Sequence, residues 1–363
     1  MLPGLYAHAP FCQRRCPYCD FYSDTDLTLI PLWLTALKQE AALRFPYWTD
    51  SFDTLYLGGG SPSLLNRQQL TSFKEALGPL KISPKAEVTI EANPEDVTAE
   101  IVRGWVSVGV TRVSLGVQSF LEKALTGPLG RTARRDMSLS AIKIIRGSGL
   151  SLSLDLLFAW PGQDIEDWLD DLAWAGDSGA EHLSLYALYP PVGSPIAQSL
   201  KLGQYRPVAE DLEAEMFLTA GCYLKRRGYE RYEVANFAKR GAQCRHNLKY
   251  WRRDNYLGLG PAAHSFDGTR RWANVSSITE WAKALSEGRT SLSLIEDVSP
   301  EQARLESLML GLRLAQGAPL SLAKDQRLVD KLTADGYLIK TGGYMKPTEK
   351  GFLAADFLAR FLA

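Results

Sequence analysis

Apolar residues along this chain follow two rhythms. Short runs rich in leucine and β-branched side chains recur through the first two-thirds, at Leu5–His8, Thr54–Leu57, Glu87–Ala92, Arg112–Val117, Leu152–Leu157 and His182–Ala187. Between them a helical spacing takes over. Ile30, Trp33, Leu34, Leu37, Ala41 and Phe45 fall on one helix face, and Asp164–Gly179 reads as a helix whose acidic first turn suits the macrodipole. Six strand–helix units in series predict a parallel sheet, and right-handed crossovers curl such a sheet towards a barrel. Six strands instead of eight predict an open, partial (β/α)6 barrel of the α/β class.

After Pro190 the rhythm changes. One helix is predicted from Val208 to Arg227, and Tyr229–Trp272 is glycine-rich, aromatic and basic without clear periodicity. The last stretch has helical patterns around Leu305–Leu314 and Leu328–Leu332, a hairpin across Thr341-Gly342-Gly343-Tyr344, and a closing helix from about Gly351. That order is winged-helix-like. The expected organisation is therefore a barrel over 1–230, a barrel-closing region over 231–290, and a small α+β domain over 291–363.

Composition narrows the function classes. The chain has 363 residues with 41 Lys+Arg against 41 Asp+Glu, so it carries no net charge to draw nucleic acid or anionic lipid as a whole molecule. No apolar run approaches the ~18 residues of a membrane span. The N-terminus lacks the charged and apolar regions of a secretory signal, so a cytoplasmic protein is expected, with peripheral membrane contact left open. Five cysteines are an odd number, and three of them crowd together near the start. That is metal-site usage in a reducing compartment and not a disulfide framework.

Cys12, Cys16 and Cys19 form CxxxCxxC in a loop directly after the first strand. Three thiolates in so short a span can hold three corners of a cubane iron–sulfur cluster and leave its fourth iron open. The rival is structural zinc, with His8 completing a tetrahedral site. Further polar groups recur at strand ends: Gly58-Gly59-Gly60-Ser61 after the second, Glu91 at the end of the third, Gln118 and Ser119 at the fourth, Asp155 late in the fifth, Ala187 at the sixth. The C-terminal rim of a parallel barrel is where such folds collect their chemistry. Three glycines let backbone approach a small ligand, and buried carboxylates such as Glu91 and Asp155 suit an ammonium or ribose hydroxyls, unless they pair with Arg112 or Arg131.

On these motifs the chain resembles the radical S-adenosylmethionine enzymes. Within them it resembles the branch holding oxygen-independent coproporphyrinogen III oxidase and the heme chaperones. The carrying stretches are Tyr6-Ala-His-Ala-Pro-Phe-Cys12, Leu57-Gly-Gly-Gly-Ser-Pro-Ser63, Glu91-Ala-Asn-Pro94, Gly116-Val-Gln-Ser-Phe120 and Leu129-Gly-Arg131. Asp155-Leu156 with Pro161-Gly-Gln163, Tyr232-Glu-Val-Ala-Asn-Phe237, His246-Asn-Leu-Lys-Tyr-Trp251 and Gly258-Leu-Gly-Pro-Ala-Ala-His-Ser265 continue the series to residue 265. The resemblance implies a 4Fe–4S cluster on the three cysteines and S-adenosylmethionine on its open iron. It further implies that Tyr6 lies near the sulfonium, Tyr18 and Ala187 near the adenine, and Gly59, Gly60 and Ser61 near the methionine part. Glu91, Gln118, Arg131 and Asp155 carry over as further cofactor contacts.

The oxidase motif continues with a fourth cysteine where Phe21 stands here, and the oxidase has an N-terminal arm before its motif. Both departures, with the HNxxYW stretch, favour the heme-chaperone side. That implies binding of heme, delivery to acceptor proteins such as respiratory-chain hemoproteins, and an electron donor for the cluster. Porphyrinogen decarboxylation and a zinc-binding interaction protein stand as alternatives, so enzymatic turnover is open. Four positions depart from the heme-chaperone pattern: Ala133 replaces a histidine, Ala159-Trp160 replaces Gly-Leu, and Ser61 replaces threonine.

Only four histidines exist: His8, His182, His246 and His264. His246, beside Tyr250 and Trp251, is the expected heme ligand, with Lys249, Arg252 and Arg253 available to propionates; the competing reading has it sealing the barrel. His8 is expected behind the cluster, His264 packed under the Gly258–Gly260 turn, and His182 structural. Lys239–Arg253 holds six basic residues, yet residues 291–363 carry nine Lys/Arg and nine Asp/Glu, so the basic footprint of a nucleic-acid reader is missing.

Overall fold

The computed structural model describes residues 1–363. Its six parallel strands are β1 (Gly4–Ala9), β2 (Phe52–Gly59), β3 (Ile82–Ala92), β4 (Arg112–Gln118), β5 (Ser151–Phe158) and β6 (His182–Ala187), and they pair in chain order. The helices that cross between them include α1 (Ile30–Arg44), α2 (Arg67–Ala76), α3 (Ala99–Val108), α4 (Glu122–Thr126), α5 (Arg135–Gly147) and α6 (Ile165–Asp177). Local sequence fixes the helix starts. Asn66 with Gln69 and Asp164 with Asp167 form reciprocal capping boxes, and Thr98 caps α3 through its side chain.

Alternation along each strand divides two environments. Outward residues such as Leu5, Leu57, Ile90, Val113, Leu154 and Leu183 are buried against Trp33, Phe73, Trp105, Ile142 and Trp168 of the helices. Inward positions are polar: Arg112, Ser114 and Gln118 on β4, Ser153 and Asp155 on β5, His182 and Ser184 on β6. A barrel interior is ordinarily filled by branched apolar side chains, so this polar interior marks a cavity meant for a ligand.

The region after α7 (Pro195–Lys201) and α8 (Glu210–Lys225) extends this sheet instead of closing it. β8 (Asn236–Ala238) pairs antiparallel with β6, and β7 (Glu230–Arg231) pairs antiparallel with β8 at the sheet's edge; α9 (Arg245–Arg252) follows. β9 (Tyr256–Leu259) pairs parallel with β1, and β10 (His264–Phe266), β11 (Arg270–Asn274) and β12 (Leu292–Asp297) continue antiparallel, with α10 (Ile278–Ser286) between the last two. The result is one twelve-stranded sheet with β12 and β7 at its free edges. Tyr229, Phe237, Leu257, Trp272 and Trp281 belong to the barrel's own core, so 231–290 is not a separate body. The expected boundary at 291 likewise moves, because β12 belongs to the main sheet.

The C-terminal unit begins at α11 (Pro300–Gly311). β13 (Ala318–Pro319), α12 (Gln326–Ala334), β14 (Leu338–Thr341), β15 (Tyr344–Pro347), α13 (Glu349–Leu353) and α14 (Ala355–Leu362) complete it around a core of its own that includes Leu308, Val329, Met345 and Leu358. Gly342 and Gly343, at φ 58° and 81°, make the two-residue turn the hairpin needs. Arg253 and Arg271 both bind Glu306, at 2.8 and 3.0 Å, and tie this unit to the sheet. No helix is long and apolar enough to cross a membrane.

Candidate cofactor site

The cysteine loop is anchored before it reaches its first thiol. Phe11 is buried edge-on against Trp33, with ring centroids 5.8 Å apart, and Trp33 Nε1 donates to the His8 carbonyl at 3.0 Å. Backbone bonds from Cys12 N–H to Asp24 O (2.9 Å) and from Asp24 N–H to Pro10 O (2.5 Å) close the neck. Cys12, Cys16 and Cys19 are half-buried and line the cavity. Burial chiefly, and the neighbouring Cys16 in smaller part, push the Cys12 and Cys19 thiols above their ordinary value. Three thiols so placed become thiolates together only when cationic metal replaces their protons.

A hydrogen-bonded arc joins two of these sulfurs. The Ser61 hydroxyl points at Cys12 Sγ (3.6 Å) and accepts from Asn93 Nδ2 (2.7 Å). Asn93 Oδ1 accepts from Arg131 Nη2 (2.8 Å), and Arg131 Nη1 donates to Cys16 Sγ (3.4 Å). Arg131 also bonds the Gly116 carbonyl and stands 3.7 Å from Glu95. Donors aimed at cluster sulfurs are a recognised lever on reduction potential. Asn93 and Glu95 were not singled out by the sequence as site residues.

The three glycines face protein first and ligand second. A Cβ at 58 would lie 2.9 Å from the Glu91 carboxyl, at 59 2.4 Å from the His8 ring, and at 60 2.5 Å from Phe11 O. Gly59 at φ 112° also needs the left-handed region. This close fit brings Gly59 N–H to Glu91 Oε2 at 2.9 Å while the Tyr56 hydroxyl donates to Oε1 at 2.9 Å. Glu91 thus has no arginine partner, and burial pushes its carboxyl up to about 7 despite those two donors.

Asp155 is held across the cavity by the Ser114 hydroxyl (2.9 Å) and by Ser184, and burial raises its carboxyl too. Gln118 ends β4 at φ 67°, unusual for a residue with a side chain and a form of strain that collects at functional sites. The cavity measures about 560 Å³, within the range of small-molecule sites. Cys12, Cys16, Cys19, Tyr18, Gly59, Gly60, Ser61, Glu91, Gln118, Arg131, Asp155 and Ala187 all line it. Arg131 Nε and Arg112 Nη2 are buried there without a protein acceptor, donors left over for a ligand.

Comparisons with known proteins agree with this geometry. A family profile described as the Radical SAM superfamily matches residues 6–175. Heme chaperone HemW of Escherichia coli (strain K12) is 33% identical over 380 residues, covering 99% of this chain and 98% of that protein. The chain belongs to the radical SAM superfamily. Its branch is that of HemN and HemW. Heme chaperone HemW of Mycobacterium tuberculosis (strain H37Rv) is 33% identical over 99% of this chain and 94% of that protein, and that of Bacillus subtilis (strain 168) 31% over 87% and 84%. Among solved structures, coproporphyrinogen III oxidase HemN of Escherichia coli, described as a radical SAM enzyme, superposes with a TM-score of 0.86 at 20% identity, over 99% of this chain and 90% of that one. That likeness shows the fold.

The radical SAM family implies a 4Fe–4S cluster with S-adenosylmethionine, and the donor set fits both groups. Cys12, Cys16 and Cys19 line the same cavity as Glu91 and Asp155, with Arg131 Nε and Arg112 Nη2 left without protein acceptors there. The zinc alternative loses its fourth ligand. His8 Nε2 donates to Tyr22 O at 3.0 Å, so its Nδ1 accepts from the Tyr6 hydroxyl at 2.9 Å, and burial holds the ring down to about 4.

Several expectations need correction. Tyr6 is not on the cavity lining; its hydroxyl is committed to His8 and its ring stacks on Tyr56 at 6.2 Å. His246 presents no imidazole to a heme. It is 1% exposed, with Nδ1 bonded to Thr54 Oγ1 and Nε2 to the Tyr250 hydroxyl, both at 2.8 Å. Burial holds it down to about 3, so it is a neutral packing group sealing the sheet. Lys249 is spent on Asp53 at 2.7 Å, and Arg253 on Glu306. His264, expected to pack under the Gly258–Gly260 turn, is exposed. His182 is buried between Ser153 and Tyr232, a structural role as expected.

Proposed function

We propose that this chain is a heme chaperone of the radical SAM superfamily, which binds heme and delivers it to acceptor hemoproteins such as those of respiratory chains. The observation that carries this reading is end-to-end similarity to proteins named heme chaperone HemW, at 33% identity across 99% of the chain. Phe21 supports it. It lines the cavity mouth with 65% of its surface exposed, where the oxidase motif has a further cysteine.

Cys12, Cys16 and Cys19 would hold the cluster, Glu91 and Asp155 would receive cationic and hydroxyl groups of S-adenosylmethionine, and Gln118 and Ala187 would flank its nucleoside. When bound, these groups supply reductive radical chemistry or a redox-sensitive conformation, and an electron donor is part of the reading. The chain's own share is physical. Glu91 and Asp155 fix a cation by charge, the Ser61–Asn93–Arg131 arc stabilises negative charge on sulfur, and Leu157 and Leu188 shield the pocket wall from water.

The test is anaerobic reconstitution followed by hemin titration, then transfer to an apo-hemoprotein. Saturable uptake near one heme per chain is expected, and absence of stoichiometric uptake would overturn the reading. Formation of protoporphyrinogen from coproporphyrinogen III by the reduced protein would replace it with the oxidase.

A further inference from the structure

A heme chaperone must grip the iron through a group it can later surrender, so this inference rests on the function proposed above. Imidazole is the commonest such donor, yet His8, His182 and His246 are at most 5% exposed, each with both ring nitrogens hydrogen-bonded within the protein. His264 is exposed but stands outside the cofactor cavity. A tyrosine oxygen is another donor that heme iron accepts.

Tyr189 is placed for that role. It follows β6 in Leu188-Tyr189-Pro190-Pro191, where two prolines restrict the backbone. Leu188 N–H donates to Phe158 O at 2.9 Å and Ile196 N–H donates to Pro17 O at 3.2 Å, so this segment is tied both to the barrel and to the cysteine loop. Tyr189 lines the cofactor cavity and is 71% exposed. Its hydroxyl donates to Glu213 Oε1, in the first turn of α8, at 2.5 Å. A phenol that donates one hydrogen bond keeps lone pairs for a metal, and a carboxylate so close can receive its proton. Burial and Glu213 push the phenol up to about 12, so the proton stays until a metal displaces it.

The surroundings suit a tetrapyrrole. Phe21 and Tyr186, both exposed, line the same cavity. Arg14 and Arg15 line it too, and their guanidiniums bond only backbone carbonyls, Gly130 O and Phe21 O, with no ion pair to any carboxylate. Aromatic rings for the macrocycle and unneutralised cations for its propionates therefore border one cavity.

We propose that Tyr189 is the axial ligand through which this chain holds ferric heme at the mouth of the cofactor cavity, with Glu213 receiving its proton. On binding, the phenol O–H bond breaks, the proton passes to the Glu213 carboxylate, and the phenolate oxygen bonds the iron in place of a water molecule. Delivery reverses these steps. The acceptor's own donor takes the iron, Glu213 returns the proton to Tyr189, and the iron stays ferric throughout. An exposed ligand permits this because the incoming donor reaches the iron without unfolding the chaperone.

The experiment titrates hemin into the full-length reconstituted protein, following the Soret band and the resonance Raman spectrum of the bound heme. The wild-type chain should show iron-coupled phenolate ring modes. Tyr189→Phe should lose those modes, move the Soret maximum and weaken Kd roughly 10-fold or more. Tyr189→His should restore tight binding with an imidazole-type spectrum. Glu213→Gln cannot take the proton and should weaken Kd roughly 10-fold. Equal melting temperatures and equal iron content before heme addition would establish that these variants fold and keep the cluster. A Glu213→Gln protein with wild-type Kd overturns the proton step. A Tyr189→Phe protein with wild-type Kd and Soret maximum, or a wild-type spectrum without phenolate modes, overturns the ligand assignment while leaving the heme-chaperone reading intact. A wild-type chain that takes up no heme overturns both.

Discussion

The strand-end rim and the HNxxYW segment look alike as sequence, since both gather polar and aromatic residues into compact motifs. They behave oppositely in the fold. At the rim, Arg131 and Arg112 keep unpaired donors, Gln118 sits in a strained backbone, Glu91 faces the cavity without a cationic partner, and Asp155 feels only the nearby Arg112 charge. In the HNxxYW segment, His246, Tyr250 and Lys249 spend their polar atoms on Thr54, on one another and on Asp53. A polar group whose bonds are all made inside the protein serves packing, and one left incomplete awaits a ligand.

The largest effect separating the two regions should come from cysteine replacement. Cys12→Ala, Cys16→Ala or Cys19→Ala should lower iron and acid-labile sulfide to background after anaerobic reconstitution. His246→Gln should retain full iron and instead lose about 2–4 kcal/mol of stability in denaturant titration, because Thr54 and Tyr250 are stranded. If His246→Gln lost its cluster and kept its stability, the two regions would have exchanged roles.

Glu91→Gln and Asp155→Asn come next. Removing a charged acceptor of this kind costs about 1.5–3 kcal/mol, so S-adenosylmethionine affinity should fall by roughly 10- to 100-fold in equilibrium dialysis, with the cluster intact. The carboxyl raised to about 7 adds a sign. Below that pH Glu91 takes up a proton and loses its attraction for a cation, so wild-type affinity should fall as pH drops from 8 to 6, and Glu91→Gln should remove Glu91's part of that dependence. The same shift makes the folded apo-protein bind a proton that the unfolded chain has released between pH 4.5 and about 7. Its stability contribution therefore declines as pH rises through that window.

A subtler change tests the arc. Asn93→Leu removes the group that orients both Ser61 and Arg131 towards sulfur, so the cluster midpoint should move to more negative potential in a redox titration. An unchanged potential would make Asn93 merely structural.

The smallest expected effect lies at Ala159, which stands at φ 55°, in the left-handed region that favours glycine. Ala159→Gly should raise stability by about 1 kcal/mol through relief of left-handed strain.

Much of this was legible in the chain because it is written locally. The six parallel strands announce themselves as apolar runs, and the cavity residues lie where those runs end. Ser114 and Ser184 were not read from the sequence, although the period-two polar residues within the runs, as in Arg112-Val-Ser114 or Ser153-Leu-Asp155, carry the signal that would have placed them inward. The edge strands were not legible. β12 is largely exposed and β7 holds two residues, so neither carries a buried pattern, and their pairing is set by distant partners. His246 was misread for a related reason. Its bond to Thr54 spans 192 residues of sequence, and no local motif records that the imidazole is already engaged.

Electron paramagnetic resonance of the anaerobically reduced, reconstituted chain, recorded with and without S-adenosylmethionine, tests the centre of this account most directly. The cysteine wall with its open iron predicts a reduced cubane signal that changes shape when S-adenosylmethionine is added. A chain showing no such signal, or one whose signal is indifferent to S-adenosylmethionine, would contradict it.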